Sequence, residues 1–376
     1  MELVFWASVV FVAYAYLGYP FVLALVALLR PKHIAKADVT PRVSHIITAH
    51  NEEKRLRAKI ENAVAQEYPT GLLETLVASD CSTDRTDDIA RGFESHGVRL
   101  VRAPERRGKE HAQRLAIAAA AGEILVFSDV GTALAADGVR SIVRNFADPT
   151  VGCVSSVDRL MDRDGRISGE GAYVRYEMLL RRLETRASTV VGLSGSFFAA
   201  RRALCDSWST DVPSDFQMLL STVRMGYRGV SDPDSIGYYP PIADESRERQ
   251  RKIRTVVRGI AALMANRDLL DPRGHPFVAL QLWSHKICRW LVPFAMLLAF
   301  VANALLIRQR TYLVLFVLQL CFYAAACVGI LSTGRLVRSR LFRLAAFFVL
   351  ANLSIVSAWY RYAVGQRVIS WTPSDR

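Results

Sequence analysis

The sequence predicts an α/β domain with a mostly parallel sheet, joined to α-helical transmembrane segments. Short β-rich apolar runs alternate with helical stretches between residue 31 and about residue 273, which indicates strand–helix–strand units. Charge-free apolar runs long enough to cross a bilayer lie toward both ends of the chain. The 376 residues are 51% hydrophobic and 22% charged, with a mean hydropathy of +0.18. This mixture excludes a disordered chain and a wholly soluble protein.

An apolar run near the N-terminus predicts one transmembrane helix. No charged residue lies between Leu3 and Leu29, and Arg30, Lys32 and Lys36 follow directly. Because basic residues favour the cytoplasmic side of a membrane, we expect the N-terminus outside and the following segment in the cytoplasm. The protein is therefore expected to be integral to the inner or plasma membrane.

Three more apolar runs predict about three further transmembrane helices. A segment that mixes aromatic and cationic residues precedes them and predicts an interfacial amphipathic element. The expected organisation is an N-terminal transmembrane helix at 1–30, a cytoplasmic α/β domain at 31–273, the interfacial segment at 274–290, C-terminal transmembrane helices at 291–365 and a tail at 366–376.

Polar loops follow the predicted strands of the α/β domain. Ligands of such sheets bind at the carboxyl ends of the strands, so a nucleotide site is expected there. The sequence contains no G-x-x-x-x-G-K-[ST], and no G-x-G-x-x-G follows the first strand, so P-loop and dinucleotide sites are not indicated. The predicted strands are 43–48, 76–79, 98–101 and 124–127, and the loops after them include Thr48–Glu53, Ser79–Thr86, Arg106–Lys109 and Ser128–Thr132.

Several of these polar residues have structural alternatives. Asp84 is expected to cap the helix after the second strand, and capping is a lesser alternative for Asp80. Lys109 stands in the first turn of a predicted helix, where the helix dipole disfavours a cation, so a functional reason is expected for it. Trp208 and Tyr238 could stack on a sugar or belong to the core.

The formal net charge of +13 suits an anionic membrane face, phosphorylated substrates or nucleic acid. Much of the arginine borders the apolar runs, and no RNA- or DNA-binding motif occurs, so a nucleic-acid partner is not expected. The six cysteines show no C-x-x-C spacing and are expected to be reduced packing residues.

The ordered set of motifs resembles the membrane-bound family 2 glycosyltransferases of the cellulose-synthase-like and poly-N-acetylglucosamine-synthase-like type. The likeness runs along nearly the whole chain. It implies the GT-A fold, a Rossmann-like domain with a mostly parallel sheet, and a nucleotide sugar, expected to be a UDP-sugar, as the donor. The family's P-A-Y-N-E-E is matched by Thr48–Glu53, its S-D-x-S-T-D-x-T by Ser79–Thr86, its G-K-x-x-A by Gly108–Ala112 and its G-x-S-G-[AS] by Gly192–Ser196.

The resemblance also implies roles for individual residues. Asp215, in the place of the family's [ED]-D pair, would be the catalytic general base. Ser194, Gly195 and Ser196 would lie on the acceptor side. The nucleotide sugar would be bound by Ala49, Asn51, Glu53, Asp80, Lys109, Asp129, Arg251 and Arg254.

Three positions depart from the family pattern. The D-x-D motif reads Asp129-Val130-Gly131, so its second aspartate, usually a metal ligand, is missing. Ser214 replaces the acidic residue before Asp215, and Thr255 replaces the tryptophan of the Q-x-x-R-W-type motif.

The resemblance implies Mg²⁺ or Mn²⁺ as cofactor, with Asp129 as its remaining ligand. Diphosphate oxygens and waters can complete such a site. Arg251, Lys252 and Arg254 are alternative or additional cations for the diphosphate, or else contact lipid headgroups.

Two functions remain open. The first is an inverting glycosyltransferase at the cytoplasmic membrane face, acting on a lipid-linked or growing polysaccharide acceptor in cell-envelope or exopolysaccharide synthesis. Asp215 would take the proton of the acceptor hydroxyl as it attacks the sugar. The second is a catalytically degenerate transferase that serves as a membrane scaffold or nucleotide-sugar-binding regulator, which Gly131 and Ser214 motivate.

Overall fold

The computed structural model describes residues 1–161, 172–239, 245–331 and 340–366. It divides the chain into two compact units. The α/β unit is built mainly from Leu23–Glu245 and Ala261–Val278, and the helical unit from Met1–Val22, Ser246–Ile260 and Ala279–Arg367.

One mixed sheet organises the α/β unit. Its eight strands within the described residues run in the order β3-β2-β1-β4-β7-β6-β8-β5. They are β1 (Val43–Ala49), β2 (Leu73–Ser79), β3 (Val98–Arg102), β4 (Ile124–Asp129), β5 (Ala133–Leu134), β6 (Val151–Leu160), β7 (Phe197–Arg201) and β8 (Arg228–Tyr239).

The first four strands form the parallel half that the sequence predicts. β1 pairs in parallel with both β2 and β4, and β2 pairs in parallel with β3. β1 is buried along its whole length, as expected for a central strand covered on both faces. Its register pairs Ala49 with Ser79 and Thr48 with Asp129, so the loops after β1, β2 and β4 leave the same edge of the sheet.

The other half of the sheet contains antiparallel pairs that the sequence analysis did not predict. β7 is antiparallel to β4 and to β6, whereas β6 and β8 are parallel. The register of β4 and β7 pairs Ser128 with Phe197. The start of β7 therefore lies beside the carboxyl end of β4, which brings the segment Gly192–Ser196 to the predicted ligand edge.

Helices belong to both units. The α-helices are α1 (Glu2–Ala13), α2 (Tyr19–Leu29), α3 (Leu56–Val64), α4 (Thr86–Arg91), α5 (Lys109–Ala119), α6 (Gly138–Val143), α7 (Ala172–Ala187), α8 (Ser214–Arg224), α9 (Glu245–Ala265), α10 (Pro276–Leu282), α11 (Arg289–Leu305), α12 (Arg310–Leu331) and α13 (Arg340–Ala363). α3 and α4 pack apolar residues such as Leu56, Ile60 and Ala90 against Ile47 and Val77 of the parallel strands.

Four helices within the described residues are long and apolar enough to cross a membrane, which confirms the expectation of α-helical membrane segments. The segment 274–290, expected as a separate interfacial element, is helical from Pro276 and continues into α11. The predicted domain boundaries and membrane orientation stay predictions, and the tail after Gln366 lies outside the described residues. The four candidate spans are Glu2–Leu29, Pro276–Leu305, Arg310–Leu331 and Leu341–Ala363.

The helical unit is held together by apolar and aromatic contacts. Phe5 of α1 packs edge to face on Tyr312 of α12, with ring centroids 5.5 Å apart. Ile253 and Val257 of the basic helix α9 pack against Ala358 of α13. These two residues of α9 are therefore buried within the helical unit.

Candidate active site

The loops after β1 and β2 are joined by hydrogen bonds between backbone groups and from backbone to side chain. Asn51 and Cys81 both have a φ of +52°, a left-handed conformation that non-glycine residues seldom adopt and that is often found at functional sites. Oδ1 of Asn51 accepts a hydrogen bond from the backbone N–H of Thr83 at 2.9 Å. The backbone N–H of Asp80 donates to the carbonyl of Ala49 at 2.9 Å. The two loops therefore form one connected surface.

Hydrogen bonds also join Glu53 to Asp84 and to Arg85, in the same two loops. The Glu53 N–H donates to Asp84, and the Arg85 N–H donates to the carboxylate of Glu53. Asp84 also accepts from the N–H of Thr86 at 3.0 Å, the first residue of α4, so its expected capping interaction is present. Although burial acts to raise the pKa of Asp84, the hydrogen bonds from Thr86 and Glu53 lower it overall.

The carboxylate of Asp80 holds the loop that precedes α5. Asp80 is fully buried, and its Oδ1 accepts from the backbone N–H groups of Arg107 and Gly108, each at 3.0 Å. Gly108 has a φ of +98°, a conformation that favours glycine. Lys109 follows as the first residue of α5. The buried carboxylate therefore positions Lys109, while the direct contact of Asp80 with a nucleotide base stays a prediction.

Lys109 links two site residues that are distant in sequence. Its Nζ lies 2.5 Å from Oδ1 of Asp129 at the end of β4, and it also donates to the carbonyl of Gly195 at 2.9 Å. The lysine side chain is 10% exposed and that of Asp129 is 31% exposed. A partly buried ion pair of this kind is screened less by water than a surface pair. Lys109 thus connects the predicted donor side with the predicted acceptor side.

Asp215 approaches the same segment from the first turn of α8. A Cβ atom placed on Gly195 would lie 3.1 Å from Oδ2 of Asp215. The carbonyl of the same glycine accepts a hydrogen bond from Lys109. Lys109, Asp129, Gly195 and Asp215 therefore form one cluster, which we call the Lys109 cluster.

The predicted acceptor-side serines bind an acidic residue that sequence reasoning missed. The hydroxyls of Ser194 and Ser196 donate hydrogen bonds to the carboxylate of Asp158, at distances of 2.7–2.8 Å. The Ser194 N–H also donates to Ser155 at 2.8 Å. Asp158 lies on β6, a strand that the sequence analysis did not predict, and no motif marks it.

Arg55 is a second residue that sequence reasoning missed. Its Nε and Nη2 bind the two carboxylate oxygens of the buried Glu52, at 2.8 and 2.7 Å. A Cβ atom on Gly131 would lie 3.7 Å from Nη1 of Arg55. The guanidinium therefore lies beside the position that lacks the second aspartate of the D-x-D motif.

The buried residue Lys59 binds the loop after Asp129. Its Nζ donates to the carbonyl of Thr132 at 2.6 Å. Burial, partly offset by the charge of Asp129, lowers the pKa of Lys59 to about 7. Burial and the charge of Lys59 also hold the pKa of the neighbouring His45 well below its usual range.

The remaining predicted residues lie elsewhere or take structural roles. Arg251 and Arg254 belong to α9 in the helical unit, where Arg251 pairs with Glu248 at 2.9 Å, and their diphosphate role stays a prediction. Trp208 stacks on Phe127 with ring centroids 5.0 Å apart, which favours the core alternative.

Asp129 is the residue that could hold a divalent ion here. Within the part of the chain that the structure describes, no group of three histidine, cysteine or acidic side chains could hold a metal ion by itself. Asp129 can supply one oxygen ligand, but Gly131 supplies none. The residues present therefore fit an ion that takes most of its ligands from a bound diphosphate and from water.

The fold resembles that of a solved glycosyltransferase. The mannosyltransferase PcManGT from Pyrobaculum calidifontis, solved in complex with GDP-Man and Mn²⁺, matches with a TM-score of 0.76 and 24% identity over 96% of this chain and 98% of its own. The α/β unit thus has the GT-A fold, which confirms the predicted fold class.

Sequence comparison gives a match to a glycosyltransferase family over part of the chain. The sequence model of Glycosyl transferase family 2 matches residues 44–208. Residues 44–208 therefore resemble the glycosyltransferases of family 2. This confirms the predicted enzyme class.

Two curated relatives are similar to this chain in sequence. The beta-monoglucosyldiacylglycerol synthase of Nostoc sp. is 26% identical over 57% of this chain and 48% of its own length. The succinoglycan biosynthesis protein ExoO of Rhizobium meliloti is 27% identical over 60% of this chain and 68% of its own length. The match thus spans about half the length of the first relative.

Proposed function

We propose that this chain transfers a sugar from a nucleotide sugar to a lipid or polysaccharide acceptor at the cytoplasmic face of the membrane, with inversion at the anomeric carbon. A UDP-sugar is the expected donor. The four candidate spans support a membrane-bound acceptor. The names of the two relatives, a diacylglycerol glycolipid synthase and a polysaccharide biosynthesis protein, support the same two acceptor classes.

The contact between Asp215 and Gly195 carries the proposal. A carboxylate beside the acceptor-side segment can take the proton of an acceptor hydroxyl while the hydroxyl oxygen attacks the sugar C1. The bond from C1 to the diphosphate oxygen breaks in the same step, and the electron pair leaves with the nucleoside diphosphate. Attack from the face opposite to the leaving group inverts the anomeric centre.

Lys109 would offset the charge that develops on the leaving diphosphate. It is held before donor binding by Asp129 and by the carbonyl of Gly195. Cations that are fixed in advance stabilise a transition state without reorganisation during the reaction. The loops around Asn51, Glu53 and Asp80 would receive the nucleotide base, since they lie at the carboxyl ends of the neighbouring strands.

A divalent ion, when bound, would supply further positive charge to the diphosphate. Asp129 would be its protein ligand in this chain. The mannosyltransferase that shares the fold was solved with Mn²⁺, which supports Mg²⁺ or Mn²⁺ as the cofactor.

Release of UDP or GDP by the purified full-length protein in detergent tests the proposal. The donors should include UDP-glucose, UDP-N-acetylglucosamine and GDP-mannose, with membrane lipid extract as acceptor. We expect release with one donor, and a loss of about 10²-fold or more in Asp215→Asn. The affinity of that variant for the nucleoside diphosphate should stay nearly unchanged.

Two results would contradict the proposal. Unchanged turnover in Asp215→Asn would remove this residue as the base. Binding of UDP or GDP without turnover of any donor, across lipid and polysaccharide acceptors, would favour the alternative of a degenerate transferase that serves as a scaffold or regulator.

A further inference from the structure

A cavity of about 120 Å³ lies between β6, β8 and α7. We propose that this cavity, which we call the Arg159 cavity, binds the phosphate group of a phosphorylated ligand. The inference goes beyond the proposed function, because the described residues that line the cavity include no member of the Lys109 cluster. The lining residues are Val157, Arg159, Met178, Arg182, Ser231 and Pro233.

The cavity lies on the face of β6 opposite to Asp158. Residues 157–160 of β6 pair with residues 236–239 of β8 in regular register. Successive side chains of a strand point to opposite faces of the sheet, so Val157 and Arg159 share one face and Asp158 points to the other. Asp158 binds Ser194 and Ser196 on its own face. The Arg159 cavity is therefore separate from the predicted acceptor-side segment.

A bulge in β8 forms one wall of the cavity. The register pairs Ser155 with Ser231 and Val157 with Ile236, so residues 232–235 of β8 lie opposite the single residue 156 of β6. Two lining residues, Ser231 and Pro233, stand at the start of this bulge. Bulges occur often beside functional sites, where they redirect side chains.

The bulge is held by the buried carboxylate of Asp232. This residue is fully buried and accepts hydrogen bonds from Lys36 at 2.5 Å and Asn145 at 2.6 Å. It also accepts from the hydroxyl of Ser235 at 3.0 Å. Lys36 donates in addition to Asp234 at 3.1 Å. A wall that is fixed before binding loses little conformational freedom when a ligand enters, which favours affinity.

The charged residues of the lining are two arginines. Arg159 is half-buried and Arg182 is exposed, and within the described residues neither guanidinium has an ion pair or a hydrogen bond. Two like charges that line one cavity repel each other, and an anion between them offsets this cost. Guanidinium groups suit phosphate in particular, because their fork of N–H donors matches the geometry of its oxygens.

The rest of the lining fits a phosphate ester. Ser231 is 7% exposed, and its hydroxyl makes no hydrogen bond to a described residue, so it can donate to a phosphate oxygen. Val157, Met178 and Pro233 offer apolar contacts to the carbon atoms beside the phosphate. About 10–15 Å³ of such space holds one water molecule, so the cavity has room for this group. The ester could be soluble or could be the head group of a lipid.

Thermal unfolding of the full-length protein in detergent tests the inference with two probes that share one phosphate group. Glycerol 3-phosphate is the soluble probe, and phosphatidic acid in mixed micelles is the lipid probe. We expect at least one of them to raise the thermal midpoint, because a ligand that binds only the folded state stabilises it. Arg182→Gln should weaken this binding by about tenfold or more, because it removes charge-assisted hydrogen bonds.

Matched variants separate binding in the cavity from effects on folding and on net charge. Arg114→Gln removes the same charge from an exposed position on α5, outside the lining, and should respond as wild type does. Ser231→Ala removes a hydroxyl alone and should weaken binding by a smaller factor than Arg182→Gln. Met178→Glu introduces a carboxylate into the lining, which should pair with the arginines and abolish the response.

The two probes identify the source of the phosphate. A rise in the midpoint with both probes, weakened in Arg182→Gln, would show a site that a soluble phosphate ester can enter. A rise with phosphatidic acid alone, weakened in the same variant, would assign the cavity to a lipid head group. No rise with either probe, or equal rises in wild type, Arg182→Gln and Met178→Glu, would overturn the inference. The proposed function would be unaffected, since nucleotide release tests it separately.

Discussion

Gly195 and Asp215 are so close that the carboxylate of Asp215 occupies the space beside the glycine Cα: an added methyl group would lie 3.1 Å from Oδ2. The carbonyl of the same glycine accepts a hydrogen bond from Lys109. Gly195 therefore lies beside both the proposed base and Lys109. The absence of a side chain at this position allows the two groups to approach the same segment.

Gly195→Ala is expected to reduce turnover while sparing nucleotide affinity. The methyl group would push the Asp215 carboxylate away by a few tenths of an ångström, and small displacements of catalytic groups can cost about 10²-fold in rate. The measurement is kcat for nucleotide release together with UDP or GDP affinity. Gly274→Ala is the control, since an added methyl group there meets no described atom within 4 Å. Wild-type kcat in Gly195→Ala would show that this contact does not position the base.

Lys109→Met should weaken nucleotide binding in the presence of EDTA, whereas Asp129→Asn should not. Lys109→Met removes a cation from the diphosphate and should weaken binding by about tenfold or more. Asp129→Asn removes the acidic partner of Lys109, so affinity in EDTA should be equal to or higher than that of wild type. With Mn²⁺, Asp129→Asn should lose the gain that the ion gives. Weaker binding by both variants in EDTA would mean that the pair holds the loop and does not contact the nucleotide.

Lys59 should make the stability of the protein depend on pH. Its pKa is about 7 in the folded protein against 10.5 as the ordinary value, and burial is the main cause. Between these values the unfolded chain binds more protons, so stability rises with pH from about 7 to about 10.5. The cost of burying the charge is fully present below about pH 7.

The test compares thermal midpoints of wild type and Lys59→Met in detergent over this range of pH. The midpoint of wild type should rise relative to that of Lys59→Met as the pH increases, because methionine cannot bind a proton. Lys54→Met, an exposed lysine in the same segment, should follow wild type. Parallel curves for wild type and Lys59→Met would contradict the lowered pKa.

Asp158→Asn should lower turnover more than nucleotide affinity. The carboxylate accepts hydrogen bonds from the hydroxyls of Ser194 and Ser196. An amide offers one oxygen acceptor where the carboxylate offers two. The segment that carries Gly195 would then be less well positioned. The control introduces Asp158→Asn into a variant that already carries Ser194→Ala and Ser196→Ala. Effects of residues that act as a unit do not add, so the loss of turnover should be smaller there than in wild type. An equal loss of turnover in both backgrounds would show that Asp158 acts through other contacts.

The parallel half of the sheet and the membrane segments could be predicted because their signals are local. β1 to β4 are short apolar runs separated by helical stretches, and each is followed by polar residues at a known edge of such a sheet. The spans are long runs without charge. Lys109, Asp129 and Asp215 could be selected by motif, although their roles still await the experiments described here.

The antiparallel half could not be predicted from the same signals. β7 lies between β4 and β6, so its neighbours in space are not its neighbours in sequence. Asp158 and Arg55 stand in no motif, and their importance depends on Ser194, Ser196 and Gly131 lying beside them. Such pairs arise from strand pairing and loop closure, which leave no periodic pattern in the chain.

By itself the sequence determined the class of the fold, the number of apolar spans and the set of polar loops from which the site is drawn. Only the tertiary structure decided that Lys109 pairs with Asp129 and reaches Gly195, which is 86 residues away. The same holds for the guanidinium of Arg55 beside Gly131. The physical reason is that hydrophobic periodicity is a property of neighbouring residues, whereas the charge arrangement of a site depends on which strand ends the folded sheet brings together.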